Sequence, residues 1–386
     1  MIYLDHNATS KLRPEALAAM LPFFSEKFGN PSAAHSGGRA AKEGLERARR
    51  AVAKLFNVHF SRVIFTSGGT EADNLAIQGV AAANDYQGHI VTTAIEHPAV
   101  SEPIKQMVKQ GMRATFVEPD AHGVVNAEAI VTALQPDTKL VSIMAANNET
   151  GALQPIEEIG AQLAERNIPL HVDAVQMAGK APLDLERLPI AYVSVSAHKF
   201  GGPQGVGALI VEKNAPLRAQ LLGGGQERRR RSGTENLPGI VGFGVAAQMA
   251  SDNDYAAYTR LEAMRDAMEQ RIRHAQVGAA IFSADAPRMG NTSALAFPQV
   301  NGETLVIKLD LAGFAISSGS ACSSGKTEPS HVLRAMGVAS ELAQGFVRVS
   351  LGWDTQPDQV ERFTEALIDQ VKQLQSMADP ALGVAV

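Results

Sequence analysis

The chain has 386 residues, 45% of them hydrophobic and 19% charged, with a formal net charge of −5 at pH 7. That length supports a large buried core and more than one compact unit, and the charge excludes a global basic field that would draw it to nucleic acid or an anionic membrane. The single cysteine, Cys322, excludes an intrachain disulfide and any multi-cysteine metal site, and no metal is expected.

The opening, Met1-Ile2-Tyr3-Leu4-Asp5, turns polar at once and lacks the charged flank and apolar stretch of a signal peptide. No apolar run is long enough to span a bilayer, so a cytoplasmic protein is expected. From Pro14 to Asn57 the pattern is helical, interrupted by a loop at Phe28-Gly-Asn-Pro-Ser32, and Glu43 to Leu55 reads as an amphipathic helix. Short apolar strands then alternate with helices. Val63-Ile-Phe65 runs into Thr66-Ser-Gly-Gly-Thr70 and a helix beginning near Glu71. His89 to Thr92, Leu140 to Met144, Pro169 to Val172, Ala191 to Ser196 and Gly207 to Val211 continue the series. This alternation predicts an α/β fold whose mostly parallel sheet is covered by helices on both faces. Beyond Ser251 a long helix from Asp254 to Ala275 precedes strands near Ser293 to Phe297 and Val347 to Leu351, and a helix from Gln356 to Met377 follows. The expected division is a large α/β domain over 11–250 and a smaller α+β domain formed by 1–10 and 251–386, the latter carrying Cys322.

Ligands of open α/β sheets bind beyond the carboxyl ends of the strands. Ser67-Gly68-Gly69-Thr70, Asn147-Asn148-Glu149-Thr150-Gly151, Asp173-Ala-Val-Gln176 and Ser196-Ala-His198-Lys199 all occupy such positions. Each has a plain reading alone: a glycine turn, a helix cap, a solvated lysine. Together they supply what pyridoxal 5'-phosphate (PLP) requires. Lys199 offers a Schiff-base amine, Asp173 a carboxylate for the ring nitrogen, and Gly68-Gly69-Thr70 a phosphate cradle at a helix N-terminus. No Gly-Lys-Ser/Thr follows the glycines, so this is not a Walker loop.

At these motifs the chain resembles the class V, fold-type I PLP enzymes, and specifically the NifS/IscS-type cysteine desulfurases. The resemblance runs from Tyr3-Leu-Asp-His-Asn-Ala-Thr9 to Ser350-Leu-Gly352. It includes Thr66 to Asn74, Glu96-His97, Asn147 to Gly151, His171 to Gln176, Ser196 to Lys199, Arg231-Ser-Gly-Thr234 and Ser317 to Cys322. It implies that Lys199 binds PLP and later moves the Cα proton, that Asp173 keeps the ring nitrogen protonated, and that Gln176 bonds the ring hydroxyl. It implies that His97 stacks on the ring and helps with proton transfer, and that Gly69, Thr70, Ser196 and His198 hold the phosphate. Thr234 would reach the phosphate from a neighbouring subunit, which implies a homodimer. Asn148, also expected to contact the cofactor, and Arg348 would grip the substrate carboxylate.

Cys322 selects among PLP reactions. It stands among Ser317 to Ala321 and Ser323 to Gly325, small residues that cannot build a core around it, which suggests an accessible loop. The resemblance then implies conversion of L-cysteine to L-alanine with sulfur taken by Cys322 as a persulfide. An acceptor protein such as an iron–sulfur scaffold would follow. The alternatives are a selenocysteine lyase or another class V aminotransferase, and a non-catalytic docking scaffold. The run Arg228 to Arg231 reads as a solvated loop or as part of the site rim or subunit interface, with nucleic acid a weak third option.

Overall fold

A computed structural model describes residues 1–252, 255–319 and 330–378. Its strands are β1 (Ile2–Tyr3), β2 (Val63–Thr66), β3 (His89–Thr93), β4 (Arg113–Val117), β5 (Thr138–Met144), β6 (Leu170–Asp173) and β7 (Tyr192–Ser196). They continue as β8 (Gly207–Val211), β9 (Ala280–Phe282), β10 (Thr292–Ala296), β11 (Phe314–Ala315), β12 (Ser317–Ser318) and β13 (Phe346–Ser350).

Seven strands form the main sheet in the order β2-β8-β7-β6-β5-β3-β4, parallel throughout except where β8 runs antiparallel to both its neighbours. The inner strands are buried along their whole length, as a sheet covered on both faces demands. One face packs against the helices Gly69–Ala83 and Pro98–Lys109, the other against Ser36–Leu55 and Leu237–Asp252. The α/β architecture with a mostly parallel sheet is as expected from the sequence.

The expected helical region before Asn57 resolves into Pro14–Met20, Pro22–Ser25 and Ser36–Leu55. The last begins seven residues earlier than its apolar pattern suggested, because the His35 ring accepts from the Gly38 N–H and caps it. The edge strand β4 was missed: Arg113 is exposed and the next three residues only half-buried, so no apolar run marks it. Downstream, β12-β13-β10-β9 form an antiparallel sheet, flanked by the helices Ala256–His274 and Pro357–Ala378. The N-terminus joins this region: β1 pairs with β11, and Asp5 bridges to Ser350. Residues 5–10 thereby pass between the two sheets on the way to the first helix.

Candidate active site

Sheet order decides which loops meet. β5, β6 and β7 are adjacent and parallel, so the loops after Met144, Asp173 and Ser196 leave the same edge side by side. The loop after β3 supplies His97, and β2 supplies the start of the helix Gly69–Ala83. The result is a cavity of about 300 Å³ lined by Gly69, Thr70, His97, Asn148, Asp173, Gln176, Ser196, His198, Lys199 and Arg348. These ten were all singled out in the sequence. Gly69 is there because nothing larger fits: a Cβ would lie 2.7 Å from the Val175 side chain.

Lys199 closes the short helical turn Ala197–Lys199, and its Nζ donates to the carbonyls of Asn7 (2.7 Å) and Ala8 (2.8 Å). Asp173, last residue of β6, accepts from the Val175 N–H at 2.9 Å. Burial pushes its carboxyl up to about 6, with the Lys199 charge acting against that rise. His97 is the N-cap of the helix Pro98–Lys109, and its Nδ1 accepts from the Ala99 N–H at 3.1 Å, which leaves the proton to Nε2. Burial, then the Lys199 and His331 charges, push its pKa down to about 4, so the ring is neutral. His198 bonds Thr9 through Nδ1 and is likewise held at about 4, chiefly by burial. Among the described residues no side chain caps the helix that begins at Gly69, which leaves its first N–H groups available to an anion.

Arg348 lies in the interior strand β13 and is buried, unlike a residue on the exposed face of an edge strand. Its Nη2 donates to Asp5 Oδ1 (2.7 Å) and its Nη1 to the Asn148 carbonyl (2.9 Å). Asn148 is presented by Asn147, whose Oδ1 accepts from the N–H groups of Glu149 and Thr150.

Of the other expected site residues, one lies apart from this cavity. Thr234 lines a separate pocket with Ser67, Glu227 and Arg231. Arg231 there pairs with Glu71 at 2.7 Å, tying that loop to the helix that opens the cavity. Cys322 lies outside the described residues, but Gly319 and Ser330 on either side of its segment line a second cavity of about 380 Å³. That cavity shares His97 and Asn148 with the first.

The sequence reading missed several neighbours. Asn7 and Asp73 line the cavity, and Lys180 and Glu96 are buried beside it. His171 bridges Ser142 (2.8 Å) and Ser194 (2.9 Å), with Asp73 3.5 Å away. Burial drives His171 down to about 3 and Glu96 up to about 8. Asn7, Asp73, Glu96 and His171 stand inside motifs of the resemblance but were given no role there, and Lys180, four residues after Gln176 in an otherwise apolar stretch, offered only its position as a clue.

The model of the family "Aminotransferase class-V" matches residues 2–363. The chain belongs to that family. A cysteine desulfurase from Cereibacter sphaeroides is 45% identical over 98% of this chain and 97% of its own length. A solved structure described as a NifS-like protein superposes with a TM-score of 0.89 at 38% identity, covering 96% of this chain and 99% of that one. "SspA in complex with cysteine" matches with a TM-score of 0.81 at 34% identity, over 91% and 99% respectively. Within the class-V family the chain sits among the cysteine desulfurases, and its fold is the fold-type I arrangement.

Proposed function

We propose that this protein binds PLP and acts as a cysteine desulfurase, converting L-cysteine and the thiol of Cys322 to L-alanine and a Cys322 persulfide. The observation that carries the reading is the convergence of Lys199, Asp173 and an uncapped helix start in one cavity. A single amine, a buried carboxyl and free amides are the donor set PLP requires, and the neutral His97 ring on the same wall suits a flat aromatic partner.

When bound, PLP supplies an electron sink for the negative charge that develops at the substrate Cα. Lys199 would hold the cofactor through its amine, and the same amine is placed to carry the Cα proton. Asp173 would hold the ring-nitrogen proton, Gln176 would take the ring hydroxyl, and Gly69, Thr70, Ser196 and His198 would hold the phosphate. Arg348 and Asn148 orient the substrate carboxylate. The Cys322 thiolate attacks the substrate sulfur, the electrons of the C–S bond leave with the carbon skeleton, and protonation there gives alanine. The sulfur remains on Cys322. The cavity bordered by Gly319 and Ser330 supports this, because it adjoins the first at His97 and Asn148.

The division into a large domain (11–250) and a small one (1–10 with 251–386) belongs to the same proposal and is supported by the separate sheets. So do a homodimer, in which Thr234 reaches the partner's cavity, a cytoplasmic location and delivery of sulfur to an acceptor protein such as an iron–sulfur scaffold. Among the described residues no helix is long and apolar enough to cross a membrane. One turnover with L-cysteine and no reductant tests the sulfur step: the peptide containing Cys322 should gain the mass of one sulfur atom. Alanine formation with no added sulfur on that peptide would overturn the assignment of Cys322.

A further inference from the structure

Lys180 is 3% exposed, and burial, reinforced by the charges of Lys199 and Arg348, holds its amine well below the usual lysine range. Gly179 sets its position. The glycine has φ +71°, and a Cβ there would lie 2.4 Å from the Phe200 ring, so the chain can turn here only with glycine. Lys180 Nζ donates to Gln176 Oε1 (3.0 Å) and to Asn7 Oδ1 (3.2 Å). Asn7 is itself fixed from several sides. Its Nδ2 donates to Thr292 Oγ1 (2.8 Å) and the Asn148 carbonyl (3.3 Å), and its Oδ1 also accepts from Asn291 Nδ2 (3.1 Å).

An isolated glutamine amide presents its oxygen or its NH2 group with little preference. Here Lys180 removes the choice. With Oε1 engaged by the lysine, Gln176 Nε2 turns to the Asn7 carbonyl, 3.0 Å away, the same carbonyl that receives Lys199 Nζ at 2.7 Å. The Gln176 NH2 group therefore stands beside the Lys199 amine. In pyridoxal the ring carbon bearing the aldehyde lies between the one bearing the hydroxyl and the one bearing the phosphate arm; with the phosphate proposed at the start of the helix Gly69–Ala83, a donor beside Lys199 is available to the hydroxyl oxygen. We propose that Lys180 is a positioning residue, which holds the Gln176 amide with its donor end toward the ring hydroxyl oxygen of the cofactor. The inference rests on the PLP reading above and assigns Lys180 no contact with substrate.

A double-mutant cycle tests it, using PLP-loaded protein and the variants Lys180→Met, Gln176→Ala and both together. The readouts are the rate of PLP release and the position of the visible absorption band. Lys180→Met should speed PLP release about fivefold, the loss of roughly one hydrogen bond, and should move the band. In the Gln176→Ala background the same substitution should change neither. Equal effects in both backgrounds would show a merely structural lysine, and no effect in either would show an idle one; both overturn the proposal. Where Lys180→Met does not fold, Lys180→Gln serves in the same cycle. A wild-type protein that takes up no PLP would instead overturn the cofactor reading itself.

Discussion

Lys199 reaches the cavity because β7 ends at Ser196 and the next three residues make a single tight turn. Replacing it with alanine should leave the fold intact and lower desulfurase turnover by ~10³-fold or more, measured as alanine released, since the proposed anchoring amine and Cα base would be lost together. Arg348 tests a different quantity. Its planar fork is held by Asp5 and the Asn148 carbonyl, and lysine cannot reproduce that geometry. Arg348→Lys should raise KM for L-cysteine about tenfold with a smaller change in kcat; the reverse pattern would mean that Arg348 acts on the chemical step.

Between elements, two buried acidic groups link segments far apart in the chain. Glu96 Oε1 accepts from Thr93 Oγ1 (2.7 Å) and the Met144 N–H (3.0 Å), joining the ends of β3 and β5. Its folded pKa of about 8 stands above the ordinary carboxylate value, chiefly through burial, so the folded state binds the extra proton. The stability this group contributes is full below about pH 4.5 and is lost as pH rises through 8, with a slope of at most ~1.4 kcal/mol per pH unit. Glu96→Gln keeps the acceptor and removes the titration. The melting temperature of Glu96→Gln relative to wild type should therefore climb from pH 5 to about pH 8 and level off above it; a constant difference would contradict the assignment. Glu227 takes both guanidinium arms of Arg49 at 2.7 Å and also the Phe65 N–H at 2.8 Å, locking the helix Ser36–Leu55 to β2. Glu227→Ala strands a buried arginine and should cost about 3–5 kcal/mol in denaturant unfolding.

These elements also show what the sequence could reveal. The strand–loop–helix rhythm placed Gly69, Asp173, Ser196 and Lys199 at strand ends, and the parallel order of β5, β6 and β7 then forces their loops together. Short edge strands such as β4 carry too weak an apolar pattern to be seen. Asn7 was equally illegible as a hub, because its partners include Asn291 and Thr292, nearly three hundred residues away. Hydrogen bonds across such separations leave no local periodicity.

For the whole molecule, the proposed role of Thr234 depends on a second chain. In its own protomer it lies in a separate pocket, and the proposed homodimer would carry it to the partner's cavity. Mixing Lys199→Ala and Thr234→Ala proteins under conditions that exchange subunits should then restore activity well above either alone, since each mixed dimer holds one intact site. No recovery from verified mixed dimers would mean that Thr234 acts within its own chain.

The central claim is that L-cysteine loses its sulfur to Cys322. The most direct measurement adds L-cysteine to PLP-loaded protein under reducing conditions and quantifies alanine and sulfide together. Equal amounts of both, absent from Cys322→Ser, are predicted. Neither product from a wild-type protein with a normal cofactor band would contradict the claim and send the search for substrate to other amino acids.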